Sequence, residues 1–345
     1  MYENQFESKD YFQKVKEMKI RLNGSDLVIK QGEQNQYCHT YETNSEKIPS
    51  TKLYNENEIF EYEEKDDFKL SGKGLLEITL GDVPETITIV NESGDVFIDE
   101  MKLGAIETEV KSGNIKGKNL KINHVDMKTY SGDIKIQGYL DSDVKINLQT
   151  KSGDIKVDKI GSPMINCESD SGDIKLIECN STDTINIASK SGDLKFDNFI
   201  EGKEITLTTS SGSIKSKRLK STNSSVSASS GDVKFEELES EKNDIATSSG
   251  EVKINNPNSD DLKINTKSGE IKLSNYDVEK GTYITSSGEI KIYTKDEDYK
   301  IIAETKTGEI NIFKKDYYQN ALFGESDREI KVRTTSGEIK ISVKK

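Results

Sequence analysis

The sequence predicts an all-β protein, a single-stranded parallel β-helix or β-solenoid of about 19–20 residues per coil behind a β-rich N-terminal cap. Three observations predict it. The tripeptide Ser-Gly-Asp/Glu, followed by Ile-Lys-Ile or a near copy, recurs through most of the 345 residues. Its Ser/Thr-Gly pairs begin at Ser93, Ser112, Ser131, Ser152, Ser171, Ser191, Ser211, Ser230, Ser249, Ser268, Ser287, Thr307 and Ser336. The spacing holds at 19 to 21 residues and then opens to 29 in the last interval, so the chain is a stack of similar units. Second, apolar and polar residues alternate around each pair, as half-buried strands require. Third, the alternation changes phase at Ser-Gly. In DVKINLQTKSGDIKV (residues 143–157), Val144, Ile146, Leu148 and Thr150 share one parity, while Ile155 and Val157 take the other. One straight strand cannot bury both sets, so the chain turns a corner there.

The elements follow in order. Residues 1–74 read as an N-terminal arm and cap. An amphipathic helix or loose arm is expected over residues 1 to about 20, anchored by Phe6, Phe12, Val15 and Met18. Short strands follow at Lys19-Ile20-Arg21-Leu22, Leu27-Val28-Ile29-Lys30 and Ile59-Phe60-Glu61-Tyr62, with turns at Asn23-Gly24 and Gln31-Gly32. Such a cap covers the unpaired edge that a stack of coils exposes. Residues 75–345 read as the solenoid, each coil having two strands, a corner at Ser-Gly and a variable second turn such as Asp158 to Pro163. Parallel stacking is expected, with the right-handed sense general to parallel crossovers. The long last interval reads as a loop inserted at about residues 314–327. Inserted loops commonly carry binding features, and Tyr317, Tyr318 and Phe323 are the candidate partner contacts or, alternatively, a cap folded onto the final coil.

Three columns accompany the repeat. The acidic one runs from Asp95 through Asp133, Asp154, Asp173, Asp193 and Asp232 to Glu251, Glu270, Glu289, Glu309 and Glu338, interrupted by Asn114 and Ser213. Lysines stand two positions later, from Lys116 to Lys340, interrupted at Phe97 and Asn311. Acid and base share an outer face, which reads as a solvated, solubilising surface. Calcium is a poor fit, because one carboxylate per coil does not supply six to eight oxygen ligands. The third column lies two positions before Ser-Gly: Thr129, Thr150, Ser169, Ser189, Thr209, Thr247, Thr266, Thr285, Thr305 and Thr334. Its parity places these hydroxyls inside, where they bond to backbone or to one another.

The run of Ser-Gly-Asp/Glu-Ile-Lys-Ile units after an irregular β-rich start resembles the bacterial β-strand-repeat family labelled "putative adhesin", a domain of unknown function. The resemblance covers roughly residues 75–345. It implies the β-solenoid architecture and a non-catalytic, adhesin-like role, with a link to envelope stress among some members. It brings no catalytic residues.

Composition narrows the function classes. Net charge is −13, which speaks against nucleic acid as a partner and against anionic membrane surfaces. No apolar run reaches the length of a membrane span. MYENQFESKDYFQ carries no basic-then-apolar leader, so a cytoplasmic location is expected if Met1 is the natural start, and a surface location only if a signal was removed. Cys38, Cys167 and Cys179 fit no metal or disulfide pattern and read as reduced bystanders; His39 and His124 are isolated. No P-loop, dinucleotide fingerprint or nucleophile elbow is present, and no cofactor is expected. The expected function is therefore a structural or interaction protein with a rigid β surface. Its partner is a protein or a second copy, and glycan contact is left open. A filament-forming scaffold and a β-helix carbohydrate-active enzyme are the alternatives.

Overall fold

The computed structural model describes residues 4–43, 50–65 and 72–344, and among these there are 27 strands and no helix. The chain is a parallel β-solenoid that separates into two compact units, Met1–Gly172 and Asp173–Lys345.

In the first unit two ladders share the bent strand Ile115–Thr129. Its Ile115–Lys118 arm pairs in parallel with Val96–Asp99, which pairs with Ser25–Gln31, which pairs with Gly72–Leu80. Two antiparallel strands finish that ladder, Gln36–Thr43 and then Asn4–Tyr11. The other ladder runs from Lys102–Ser112 through Thr86–Ser93, Glu17–Leu22 and Ile59–Glu64 to the antiparallel Thr51–Glu56. The coil that comes first in sequence, residues 17–31, thus lies between the coils of residues 59–80 and 86–99.

Where a helix or arm is expected, Asn4–Tyr11 is instead a strand, and the strand expected at Lys19–Leu22 is present and begins at Glu17. Met18, Ile20 and Leu22 are buried at strand spacing, and Phe12 and Val15 pack where the chain enters the core. Pairing with Gln36–Thr43 outweighs the helical spacing of the apolar residues, because an isolated helix this short is marginal in water.

In the second unit the bent strands Leu194–Thr209, Ile214–Ala228, Val233–Thr247 and Val252–Thr266 stack in parallel. Ile214–Ala228 and Val233–Thr247 stay one repeat apart throughout, so the expected second turn is here a bend within a continuous strand. The end of the unit inverts the chain order. Glu329–Ser336 pairs with Ile271–Ser287 on one side and with Lys300–Ile312 on the other. Ile339–Val343 is likewise held between Ile290–Thr294 and Lys300–Ile312. The segment expected as an inserted loop is a strand, Lys315–Phe323, antiparallel to Lys300–Ile312. The long interval supplies this strand and the return that lets the last coil slot inward.

The core follows the parity switch. Ile146, Leu148, Ile155 and Val157 are buried, whereas Val144 lies before the strand and is 52% exposed. Each CH2 buried this way contributes about 0.8 kcal/mol.

Candidate functional site

The Ser-Gly corners stack directly. A Cβ at Gly132 would collide with the carbonyl oxygen of Gly113, and one at Gly231 with that of Gly212. Glycine is required by this close approach more than by backbone freedom. The hydroxyl column then links corner to corner. Thr129 Oγ1 donates to the Gly113 carbonyl at 2.8 Å and Thr150 Oγ1 to that of Gly132 at 2.9 Å. Thr209 Oγ1 donates to Gly192 O at 2.9 Å and accepts from Gly212 N–H at 3.1 Å, so one buried hydroxyl satisfies two corner groups.

The acidic column does more than solubilise. Asp133 Oδ1 accepts the backbone N–H of Asp154 at 2.9 Å while its other oxygen accepts from Lys135 Nζ at 2.7 Å. Asp193 and Asp232 accept the N–H groups of Ser213 and Glu251 in the same way. Burial opposes ionisation of Asp133, but the Lys135 ammonium and the Asp154 N–H outweigh it and hold the carboxyl below its usual range. At Asp232 the Lys234 ammonium is the leading cause of the same shift. Among the described residues no three His, Cys, Asp or Glu side chains gather as a metal site. Buried Cys167 has its thiol pushed up to about 12 by desolvation, so it is unreactive as a nucleophile.

One cluster in the first unit resembles a nucleophile relay on paper. Ser25 Oγ lies 2.9 Å from His39 Nε2, and Glu64 Oε1 lies 3.3 Å from the same nitrogen. A relay needs base and acid on opposite ring nitrogens, and here His39 Nδ1 faces the Tyr62 hydroxyl. Ser25, His39 and Glu64 are also buried. Glu64 accepts from Tyr41 at 2.7 Å and from the N–H groups of Asn23 and Gly24. Burial alone would raise its carboxyl; the bonds from His39, Ser25, Tyr41 and Asn23 hold it at about 2. This cluster fastens the cap, with the His39 and Glu64 side chains enclosed among the described residues. Isolated His39 carried no sequence signal for it, because its partners come from two other strands, Ser25–Gln31 and Ile59–Glu64.

The second unit ends on a tyrosine cluster. Tyr276, Tyr283 and Tyr299 are fully buried, and Tyr283 OH donates to Tyr276 OH at 2.9 Å. Arg328 stacks 4.0 Å over the Tyr299 ring and reaches Asp277 at 3.2 Å. Over it lies the outermost strand. Lys315–Phe323 pairs on one side with Lys300–Ile312, and among the described residues its other edge has no strand partner. Phe323 packs on Phe313 with ring centroids 5.1 Å apart, and Tyr317 is half-buried. Tyr318 and Leu322 are 85% and 69% exposed. Of the three aromatics singled out from sequence, Phe323 faces the unit and Tyr318 faces solvent. Leu322, opposite the part-exposed Ile302, completes the apolar patch and was missed because its orientation depends on where the hairpin turns.

Solved structures with a similar fold are distant. A "putative adhesin" from Parabacteroides merdae is 12% identical, with 79% of this chain and 96% of that one covered, at a TM-score of 0.42. One from Bacteroides fragilis is 14% identical, covering 84% and 97%, at 0.30. A "putative lipid binding protein" from Parabacteroides distasonis is 13% identical, covering 98% and 97%, at 0.31. No curated protein matches the sequence. The sequence profile of the Toastrack family, DUF4097, matches residues 15–197 and again residues 177–342, which takes in both units with their interleaved end coils. The chain therefore belongs to the Toastrack DUF4097 family.

Proposed function

We propose that this protein is a non-catalytic interaction module whose rigid β-solenoid presents the edge strand Lys315–Phe323 to an extended segment of a protein partner. The observation that carries the reading is the exposure of Tyr318 and Leu322 on a strand paired on one side only. Such an edge offers a row of backbone donors and acceptors, and an added strand gains affinity from them while side-chain pockets give specificity. Exposed aromatic and aliphatic groups supply the desolvated centre typical of protein contacts. The names of the similar structures, adhesins and a lipid-binding protein, are compatible with a binding role and name no partner for this chain.

The test is capture from native lysate with the wild-type protein beside a Tyr318→Lys/Leu322→Lys double variant. Both positions are exposed, so the variant keeps the fold. Proteins held by the wild type and lost by the variant support the reading; an unchanged set overturns it. Sedimentation at several concentrations separates the runner-up. If the wild type associates with itself and the variant does not, the edge serves self-assembly instead.

A further inference from the structure

The second unit breaks its acidic column once. At Ser213 the acidic column lacks its carboxylate, so Lys215 has no acid two residues before it. Lys215 and Lys217 lie on the outer face, while Ser216 between them faces the core in register with Phe196 and Phe235. Beside Lys215 the outer face holds an open groove of 420 Å³. Lys195, Lys215, Lys234 and Lys253 border it in unbroken register across four neighbouring strands. Lys217 joins them at the rim.

Much of the lysine column is neutralised by neighbouring acids, as at Lys116, Lys135, Lys156 and Lys175. Here Lys195 meets Asp197 at 3.0 Å, and Lys234 meets Asp232 and Glu251 at 2.9 and 3.0 Å. Lys215, Lys217 and Lys253 have no ion pair among the described residues. Stacked like charges on paired strands are unfavourable unless something neutralises them. On a chain of net charge −13, this is a local positive well.

The lining also sets what fits. Glu236 and Asn255 face the same groove, and the Glu236 carboxylate has no side-chain partner among the described residues. A bare anion would be repelled by Glu236, whereas a ligand with hydroxyls donates to it. The strongly acidic chain disfavours a long polyanion, and the volume lies in the range of small-molecule sites.

We propose that this groove binds a small acidic sugar, with its carboxylate or phosphate held by Lys215, Lys217 and Lys253 and its ring hydroxyls bonded to Glu236 and Asn255. The site is separate from the edge strand Lys315–Phe323, so either reading can fail alone.

Isothermal titration of the full chain tests it, with galacturonate, glucose 6-phosphate, maltose and inorganic phosphate as probes. Either acidic sugar is expected to bind in the millimolar range or tighter and to weaken as salt rises. Whichever of the two binds identifies the anionic group. Ser213→Asp restores the acid column beside Lys215 and should weaken binding about tenfold, with Lys215→Met doing the same. Both positions lie on the outer face, and unchanged thermal melting confirms that the variants fold. The proposal is overturned if neither acidic sugar binds, if maltose or inorganic phosphate binds as tightly, or if Ser213→Asp binds like the wild type.

Discussion

The two units close their outer edges by the same device and finish them differently. In each, the coil nearest the chain terminus is held one place inside the stack, and antiparallel strands cover what would be an open ladder. A terminal coil paired on both sides cannot fray without opening two ladders. In the first unit the outermost strand of one ladder, Asn4–Tyr11, shows solvent Glu7, Ser8, Lys9 and Asp10 beside Tyr11. That of the second unit, Lys315–Phe323, shows Tyr318 and Leu322. Charge blunts an edge against further pairing, and an aromatic, aliphatic edge invites it. The first edge is finished for solution; the second, in the function proposed above, is finished for contact. Beneath them lie a buried carboxylate with His and Tyr in one case, and stacked tyrosines under an arginine in the other.

The sharpest way to break this comparison is Glu64→Gln. It removes the charge and turns one of the two oxygens that serve His39, Tyr41, Asn23 and Gly24 into a donating amide inside the first cap, and should cost about 3 kcal/mol there. Denaturant melts should show the loss in the first unit, with the second unchanged. Acid should expose the same group. Its folded value of about 2 lies below the unfolded carboxylate range near 4.3, so the stabilisation is complete above that range. It drains as pH falls from about 4.3 toward 2. Glu64→Gln should flatten that limb, and an unaltered acid profile would show that the carboxylate does not hold the cap.

A smaller effect is expected at the other end. Gly281 lies where a Cβ would collide with the hydroxyls of Tyr276 and Tyr283, while its partners in register are Leu262 and Ile330. Gly281→Ala should overpack the tyrosine cluster and destabilise the second unit by about 1–3 kcal/mol. Thermal melting read by tyrosine absorbance checks it. If stability is kept, the cluster is looser than its buried rings indicate, and the two caps differ in rigidity as well as in chemistry.

Much of this architecture is legible in the sequence because it is local and repeated. The phase change at Ser-Gly fixes a corner, and the inward hydroxyls at Thr129, Thr150 and Thr209 follow from parity alone. What parity cannot supply is pairing across long stretches of chain. Asn4–Tyr11 has apolar spacing compatible with a helix, and only Gln36–Thr43 makes it a strand. The inward slot of residues 329–343 is invisible for a related reason: similar coils are interchangeable by pattern, so their order in space is set by the caps. The acidic column was legible as a surface and not as a backbone acceptor, because that role depends on the N–H of the next corner. At the candidate contact strand, the positive φ values of Phe313 and Lys314 mark the tight turn that decides which side chains of Lys315–Phe323 face out.

The mildest test rebuilds one edge in the image of the other. Glu7→Tyr with Lys9→Leu sets two apolar groups beside Tyr11, already 61% exposed, on the outer strand of the first unit. Surface changes of this kind usually move stability by no more than about 0.5 kcal/mol. The fold should therefore persist while the blunting charges are gone. Sedimentation at rising concentration should then show association that the wild-type first edge does not support. If the variant stays dispersed, side-chain charge is not what keeps this edge unpaired. The contrast with Tyr318 and Leu322 would then have to rest on backbone geometry, with the twist of Asn4–Tyr11 turning its free donors and acceptors away from an incoming strand.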